Sequence, residues 1–473
     1  MGKMAMTHSD IADPELTDLS FVDQKRSPDR ELELTMPGNF SLVVVGDCIM
    51  SRPLTQTMEQ DRDASGVLRL LSNADLCCGN LETSIFEPSG FTGHPYPWDG
   101  DWPLASVPAV AHDLAHFGFR LMARANNHAL DWGIEGMRET TRWLRAANIV
   151  SAGTGENLGF ARCPAYCELP PGRVGLVSFA TTFRPTTNAL DPFGAAPGRP
   201  GISGLRVRQV DVVTGADLEL IRKVRDSAMT SQTAPGSDPE QVHAFGRTFE
   251  AGDGRYYRFD MDEEDLGGIL RNIRQGKQSS DLLVVMVHSH EVLQEGYPEL
   301  PAPFLKELAR RSVDAGADVF VTSGIHHLGP IEIYNDRPIF YGLGNFIWSD
   351  IQELIPKELF DINRRLLKRA FRFAERATVA DLNGVLNARS FAHELAFESV
   401  IPVCRFTQGR LKDIVLHPIQ LGYGLPLTQS GIPRLASGEA SERILHRVRQ
   451  ISRSFGTQIE IRIEDNKGRI LCA

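Results

Sequence analysis

The sequence predicts an α/β protein, and three features of its 473 residues carry that expectation. Continuous apolar runs such as "FSLVVVGDCIM" (40–50) and "SDLLVVMVHSHE" (280–291) have the length and composition of buried strands. Amphipathic stretches at helical spacing separate such runs, and strands alternating with helices build an α/β sheet. Several runs also end abruptly in polar residues, where ligands and catalytic groups collect in such folds.

In chain order, the first strand is broken at Gly46 and Asp47, and "ADLCCGNLETSIF" gives a short strand ending at Gly79, Asn80 and Glu82. "GFTGHPYPWDGDWPLAS" (90–106) reads as a Gly/Pro/aromatic loop whose rings could stack on a substrate or on their own domain. A helix, "VPAVAHDLAHFG", leads to the strand "FRLMA". "ARANNHALDWG" (123–133) then places Asn126, Asn127 and His128 on a strand-to-helix loop. Ile134, Met137, Thr141 and Leu144 follow at helical spacing, with Asp131 placed to cap that helix. "RVGLVSFATTF" (173–183) is a strand.

Residues 184–260, rich in Pro, Gly, Ser, Thr and Asp, read as a long insertion or lid with one helix around Asp217 to Ser227. The helix "PAPFLKELARRSVDAGA" carries Phe304, Leu305, Leu308, Ala309 and Val313 on one face and stops at Gly316. It feeds "DVFVTSGIHHLGPIEIY" and "RPIFYGLGNFIW". A strand, "GRLKDIVLHPIQL", a helix, "SERILHRVRQISRSFG", and a hairpin turning at Asn466-Lys467-Gly468 close the chain. The expected organisation is a polar tail (1–38), a main domain (39–425) containing the insertion, and a C-terminal α+β extension (426–473).

A net charge of -10 without a dense Lys/Arg cluster excludes a nucleic-acid face as the expectation. "RRLLKRAFRFAER" (364–376) reads as a solvated amphipathic helix rather than a membrane anchor, though it could touch a polyanion. The polar N-terminus offers no signal peptide and no stretch is a membrane span, so a soluble cytoplasmic protein is expected. Seven cysteines, an odd number, fit a reducing compartment, and Cys163 and Cys167 read as half-buried structural thiols. "GTGENLG" (153–159) has the wrong glycine spacing for a dinucleotide loop, and G-x-S-x-G is absent.

The polar strand ends form a pattern. Asp47, Asn80 with Glu82, Asn127 with His128, His288 with His290, and His326 with His327 each follow a separate apolar run. Together they offer carboxylate, amide and imidazole donors, a set suited to one or two divalent ions such as Mn, Zn or Fe. One asparagine would give its carbonyl oxygen to the metal while His128 stays available to shuttle a proton.

"VVVGDCIMSRPL", "GNLETSIF", "ANNHALDWGIEGMRETTRWL", "GTGENLGFA" and "GIHHLGPIEIYNDRPIFYGLGNFIW" resemble, in the same order, the CapA family of poly-gamma-glutamate capsule biosynthesis proteins. That family is related to the calcineurin-like metallophosphoesterases. The resemblance spans about residues 40–350 and implies an α/β/β/α sandwich with metal ligands at strand ends. It implies Asp47, Glu82, Asn127, His288 and His326 as metal ligands, with Asn80, His290 and His327 as possible additions. His128, with Asn126, takes the catalytic role. Ser323 stands where the family carries a histidine, so one ion position is expected to be weak unless His290 or His327 compensates. The implied activity is metal-dependent hydrolysis of a phosphoester or glutamyl-type amide in a small molecule or acidic polymer. The alternative is a non-catalytic capsule-assembly or polyanion-binding protein.

Overall fold

The computed structural model describes residues 35–96, 102–228, 240–293, 300–390, 393–462 and 465–471. Most of the expected N-terminal tail (1–34) and residues 97–101 of the aromatic loop lie outside them.

Two sheets stack face to face. The larger is centred on Asn39–Met50, which pairs in parallel with Leu76–Leu81 from Leu42 to Cys48 on one side, while its C-terminal end, from Asp47, pairs in parallel with Asn345–Ser349 on the other. Its N-terminal half pairs antiparallel with Glu398–Thr407. Phe119–Ala123 and Val150–Ala152 extend this sheet in parallel. In the smaller sheet, Gly172–Ala180, Leu282–His288, Val319–Ser323 and Arg337–Phe340 run parallel to one another.

Alternation along the strands sorts side chains into layers. Leu42 and Val44 meet Leu176, Val284, Met286, Val319 and Val321 between the sheets. Val43 and Val45 point outward, onto Val67 and Leu71 of the helix Arg62–Ser72 and Val110 and Leu114 of Ala109–His116. On the opposite outer face, Val285, Val287 and Phe320 receive Ile269 and Ile273 of Glu263–Gln278 and Phe304, Leu305 and Leu308 of Pro303–Asp314. The result is an α/β/β/α sandwich. Each large aliphatic side chain buried in these layers stabilises by about 1.5–3 kcal/mol relative to exposure.

Local expectations needed correction in several places. The 184–260 stretch is an ordered unit over much of its length, because Val207–Val213, Gln241–Ala244, Arg247–Ala251 and Tyr256–Met261 form a four-stranded sheet. The helix Gly215–Ala228 packs Leu218 against Val242 and Ala244 of that sheet. Its strands are short and dense in charge, with Arg258 pairing to Glu250 and Asp260 and Arg208 to Asp260, so only alternate positions are apolar. In the helix Gly133–Ala146, Thr140 rather than Thr141 is fully buried, and Asp131 does not cap it. The basic stretch is α-helical only over Arg364–Ala370, ends that helix at Phe371, and has a short 3-10 turn at Ala374–Arg376. Cys163 is exposed and Cys167 buried, and the six described cysteines are all free. The C-terminal extension completes the large sheet: Lys467–Leu471 pairs with Arg410–Gln420, and Gly438–Ser452 sends Ile444, Leu445 and Val448 into the core between the sheets. Among the described residues, no helix is long and apolar enough to cross a membrane.

Gly46 sits where the central strand changes partner. A Cβ there would lie 1.9 Å from the Gly344 carbonyl oxygen, the atom that accepts the Asp47 N–H at 3.1 Å. Gly46→Ala is therefore expected to destabilise by about 3 kcal/mol or more. Gly384, within the helix Val379–Ser390, faces open space. Gly384→Ala is expected to stabilise by about 0.5–1 kcal/mol. Urea melts of the two variants should move in opposite directions.

Candidate metal centre

The parallel strands of both sheets bring their C-terminal ends to one edge, and the polar side chains beyond them converge on Asp47. Asp47 is fully buried. It pairs with Asn80 on one side and Asn345 on the other, at an irregularity in both ladders. Its carboxylate accepts from Asn80 Nδ2 at 2.8 Å and from the Gly324 N–H at 3.0 Å, and lies 3.5 Å from His326 Nδ1. Burial alone would raise its pKa. The His326 contact, the charges of His288 and His326 and the Asn80 amide outweigh that and hold it well below the usual carboxylate range.

Gly324 has φ +107, and a Cβ on it would stand 2.7 Å from His290 Cδ2. Glycine thus lets a backbone N–H face Asp47 and the His290 ring pack above it. Next but one, His326 takes a left-handed conformation (φ 56), uncommon for a non-glycine residue and concentrated at functional sites. Its ring stacks on Trp348, with centroids 5.2 Å apart. Asn345 donates through Nδ2 to the Ala396 carbonyl, which orients its Oδ1 to accept from His326 Nδ1 at 2.8 Å. That tautomer puts the lone pair of a neutral His326 on Nε2.

His288 ends its strand with Nδ1 3.1 Å from Ser323 Oγ and 3.3 Å from Asn80 Nδ2. Its Nε2 lies 2.9 Å from His290 Nε2 and 3.4 Å from Glu82 Oε1. Burial pushes the His288 pKa down to about 3 and that of His290 well below its ordinary value, so both rings are neutral at physiological pH. Two groups of ligand-capable atoms result, each lying within 4.8 Å of one another: Glu82, His288 and His290, and Asp47, Glu82 and His326. Glu82 belongs to both.

The loop after Phe119–Ala123 supplies the amides. Asn126 donates to Asn80 Oδ1 at 3.1 Å and to the Leu81 carbonyl at 2.8 Å, while its Oδ1 accepts the His128 N–H. It is spent on holding the loop, unlike the catalytic role expected for it. Asn127 Oδ1 is buried and accepts no hydrogen bond from the protein. A desolvated carbonyl oxygen without a partner is costly, and a cation is one way to satisfy it. This orphaned acceptor, two buried carboxylates and three imidazoles fit a divalent ion that takes mixed N and O ligands. His128 Nδ1 is 2.7 Å from Asp131 Oδ2, which also accepts from the Leu104 N–H at 2.8 Å. Asp131 therefore orients His128 instead of capping a helix, and makes Nε2 the proton-exchanging nitrogen.

Ser323 Oγ contacts the far nitrogen of His288, and His290 is the second imidazole beside Glu82. His327 instead directs Nδ1 to the Ile325 carbonyl at 2.9 Å and joins neither group. Asp131 and Asn345 are the contributors that sequence reading did not assign to the site.

Residues 41–350 match the bacterial capsule synthesis protein family, PGA_cap. The chain belongs to that family. An uncharacterised protein of Sinorhizobium fredii is 40% identical over 435 residues, covering 91% of this chain and 93% of that protein. The capsule biosynthesis protein CapA of Bacillus anthracis is 23% identical over 312 residues, 65% of this chain and 60% of CapA. A Mycobacterium tuberculosis protein named "probable polyglutamine synthesis accessory protein" is 27% identical over 305 residues, 63% of each chain.

Asp350, just past Asn345–Ser349, has its pKa raised from 3.8 to about 6, chiefly by burial, against the pull of the Gln352 amide and the charge of His128. The folded protein thus holds a proton here between pH 3.8 and about 6 that the unfolded chain releases. The carboxylate costs stability above that window, and the cost fades as pH falls through it. Asp350→Asn is expected to stabilise by about 2 kcal/mol at neutral pH and by nothing in acid below the window. Thermal melts of both proteins across that pH range check this.

Proposed function

We propose that this member of the capsule synthesis family is a metal-dependent hydrolase. Asp47, Glu82, Asn127, His288, His290 and His326 would hold one or two divalent ions (Mn, Zn or Fe). The substrate would be a phosphoester or a glutamyl-type amide, in a small molecule or an acidic polymer. The observation that carries this reading is the pair of ligand groups sharing Glu82, next to an oriented His128–Asp131 pair. A purely structural polar cluster would have no need of a buried, unbonded Asn127 carbonyl oxygen.

A divalent ion held by these residues would supply Lewis-acid chemistry, polarising the scissile group and lowering the pKa of water. The protein does the rest. Glu82 and Asp47 bring negative charge to the seam between the sheets. Asn80 holds Asp47 in place, Asn126 holds Asn80, and its Oδ1 fixes the start of the His128 backbone. His128 delivers a proton from Nε2 to the leaving group, and Asp131 stabilises the imidazolium form from which that proton comes. The names of the CapA and polyglutamine synthesis relatives support a substrate containing glutamyl units.

Two measurements test the reading. Elemental analysis after chelation and reconstitution with Mn or Zn should find stoichiometric metal, and the loaded protein should cleave a member of a phosphoester and γ-glutamyl amide panel. No retained metal would remove the basis for the proposal. His128→Ala should keep its metal and its melting temperature while losing about 100-fold or more in rate. Loss of metal and fold together would make His128 a ligand or a structural residue.

A further inference from the structure

The stretch 357–376 carries seven lysines and arginines against three acids, in a chain whose net charge is -10. All seven cations are exposed. Beneath them Leu359, Leu367 and Leu382 form a small hydrophobic cluster of their own, which packs this stretch against the helix Val379–Ser390. The helices Lys357–Ile362 and Arg364–Ala370 follow one another with only Asn363 between, and both the Asn363 N–H and its Nδ2 bond back to Leu359 O. Leu359 and Leu367 are buried, whereas Ile362, Arg365 and Arg369 are exposed.

Two large apolar side chains stand among the charges: Ile362 is 58% exposed and Phe373 51%. The guanidinium carbons of Arg372 and Arg376 each lie 5.3 Å from the Phe373 ring centroid. Beside them a groove of about 670 Å³ over Phe360 and Leu367 is lined by Lys357, Arg364 and Lys368 and by two carboxylates, Asp361 and Glu375, of which Asp361 pairs with Arg364.

We infer that the 357–376 face is a peripheral docking surface for an anionic lipid bilayer. Clustered cations draw a protein to negatively charged headgroups, and exposed apolar side chains gain by entering the boundary between headgroups and acyl chains. The groove has room for a headgroup among Lys357, Arg364 and Lys368. In a chain that is acidic overall, a stretch with an excess of cations is drawn toward an anionic surface and favours one orientation of docking. An acidic polymer would meet the same cations, but it offers no apolar phase for Ile362 and Phe373. Those two residues decide in favour of lipid.

The test is cosedimentation of the full-length protein with vesicles of phosphatidylglycerol and phosphatidylcholine in equal parts, against vesicles of phosphatidylcholine alone. Binding to the mixed vesicles only, weakened by added salt, is expected. Arg365→Ala and Arg369→Ala should each lower partitioning about fivefold. Phe373→Ser, which leaves the charge unchanged, should also lower it. Circular dichroism melts of each variant confirm that fold is retained, and Leu220→Ser, on the exposed helix Gly215–Ala228, serves as an apolar control at a distant site. Equal partitioning of wild type and the arginine variants would overturn the inference. So would binding to poly-γ-glutamate that depends on the arginines, with no binding to either vesicle.

Discussion

A carboxylate with no exposed surface lies at the seam of two stacked sheets, and the edge of the molecule is organised to tolerate it. Isolated in an apolar interior, the Asp47 charge would cost several kcal/mol or be neutralised by protonation. It stays charged because Asn80, the Gly324 N–H and His326 surround it. Each belongs to a different strand or loop, so satisfying one charge fixes the register of the first strand against both sheets. Gly46 and Gly324 serve the same constraint, since each removes a side chain where backbone must approach closely.

From that fixed point the neighbouring groups fall into order. Asn126 is tied to Asn80 and Leu81, which sets the loop carrying Asn127 and His128. Asp131, reached by the same loop, holds His128 in one tautomer. On the other sheet, His288 contacts Asn80 and Ser323, so its Nε2 faces His290 and Glu82. Burial keeps these imidazoles neutral, the form in which a histidine donates a lone pair.

Much of this was legible in the sequence for a physical reason. A buried strand is an unbroken apolar run, so the point where Asp47, Asn80 or His288 interrupts it marks both the strand end and the candidate site. Spacing could not separate Asn126 from Asn127, because adjacent residues on a tight loop point in different directions and only three-dimensional contacts show which amide is occupied. Nor could spacing choose between His290 and His327 as the imidazole that makes up for Ser323; His290, two residues past its strand end at His288, is the one grouped with Glu82. The insertion sheet was hidden by its charge ladder. Glu398–Thr407 is a strand to which no expectation was attached, and its Pro402 sits opposite Leu416 within the ladder although proline disfavours a sheet interior. Val379–Ser390 lacks the apolar periodicity by which a helix is recognised, its Asn383 and Asn387 being turned to Gln352 and the Asp350 carbonyl instead.

The proposed function rests on one claim, that the two candidate ligand groups sharing Glu82 hold metal. Anomalous diffraction from crystals soaked in manganese tests it most directly. The account predicts one or two peaks beside the Glu82 carboxylate, against His288 and His290, against Asp47 and His326, or both. A single peak away from Glu82, or none at this edge of the sheets, would contradict it.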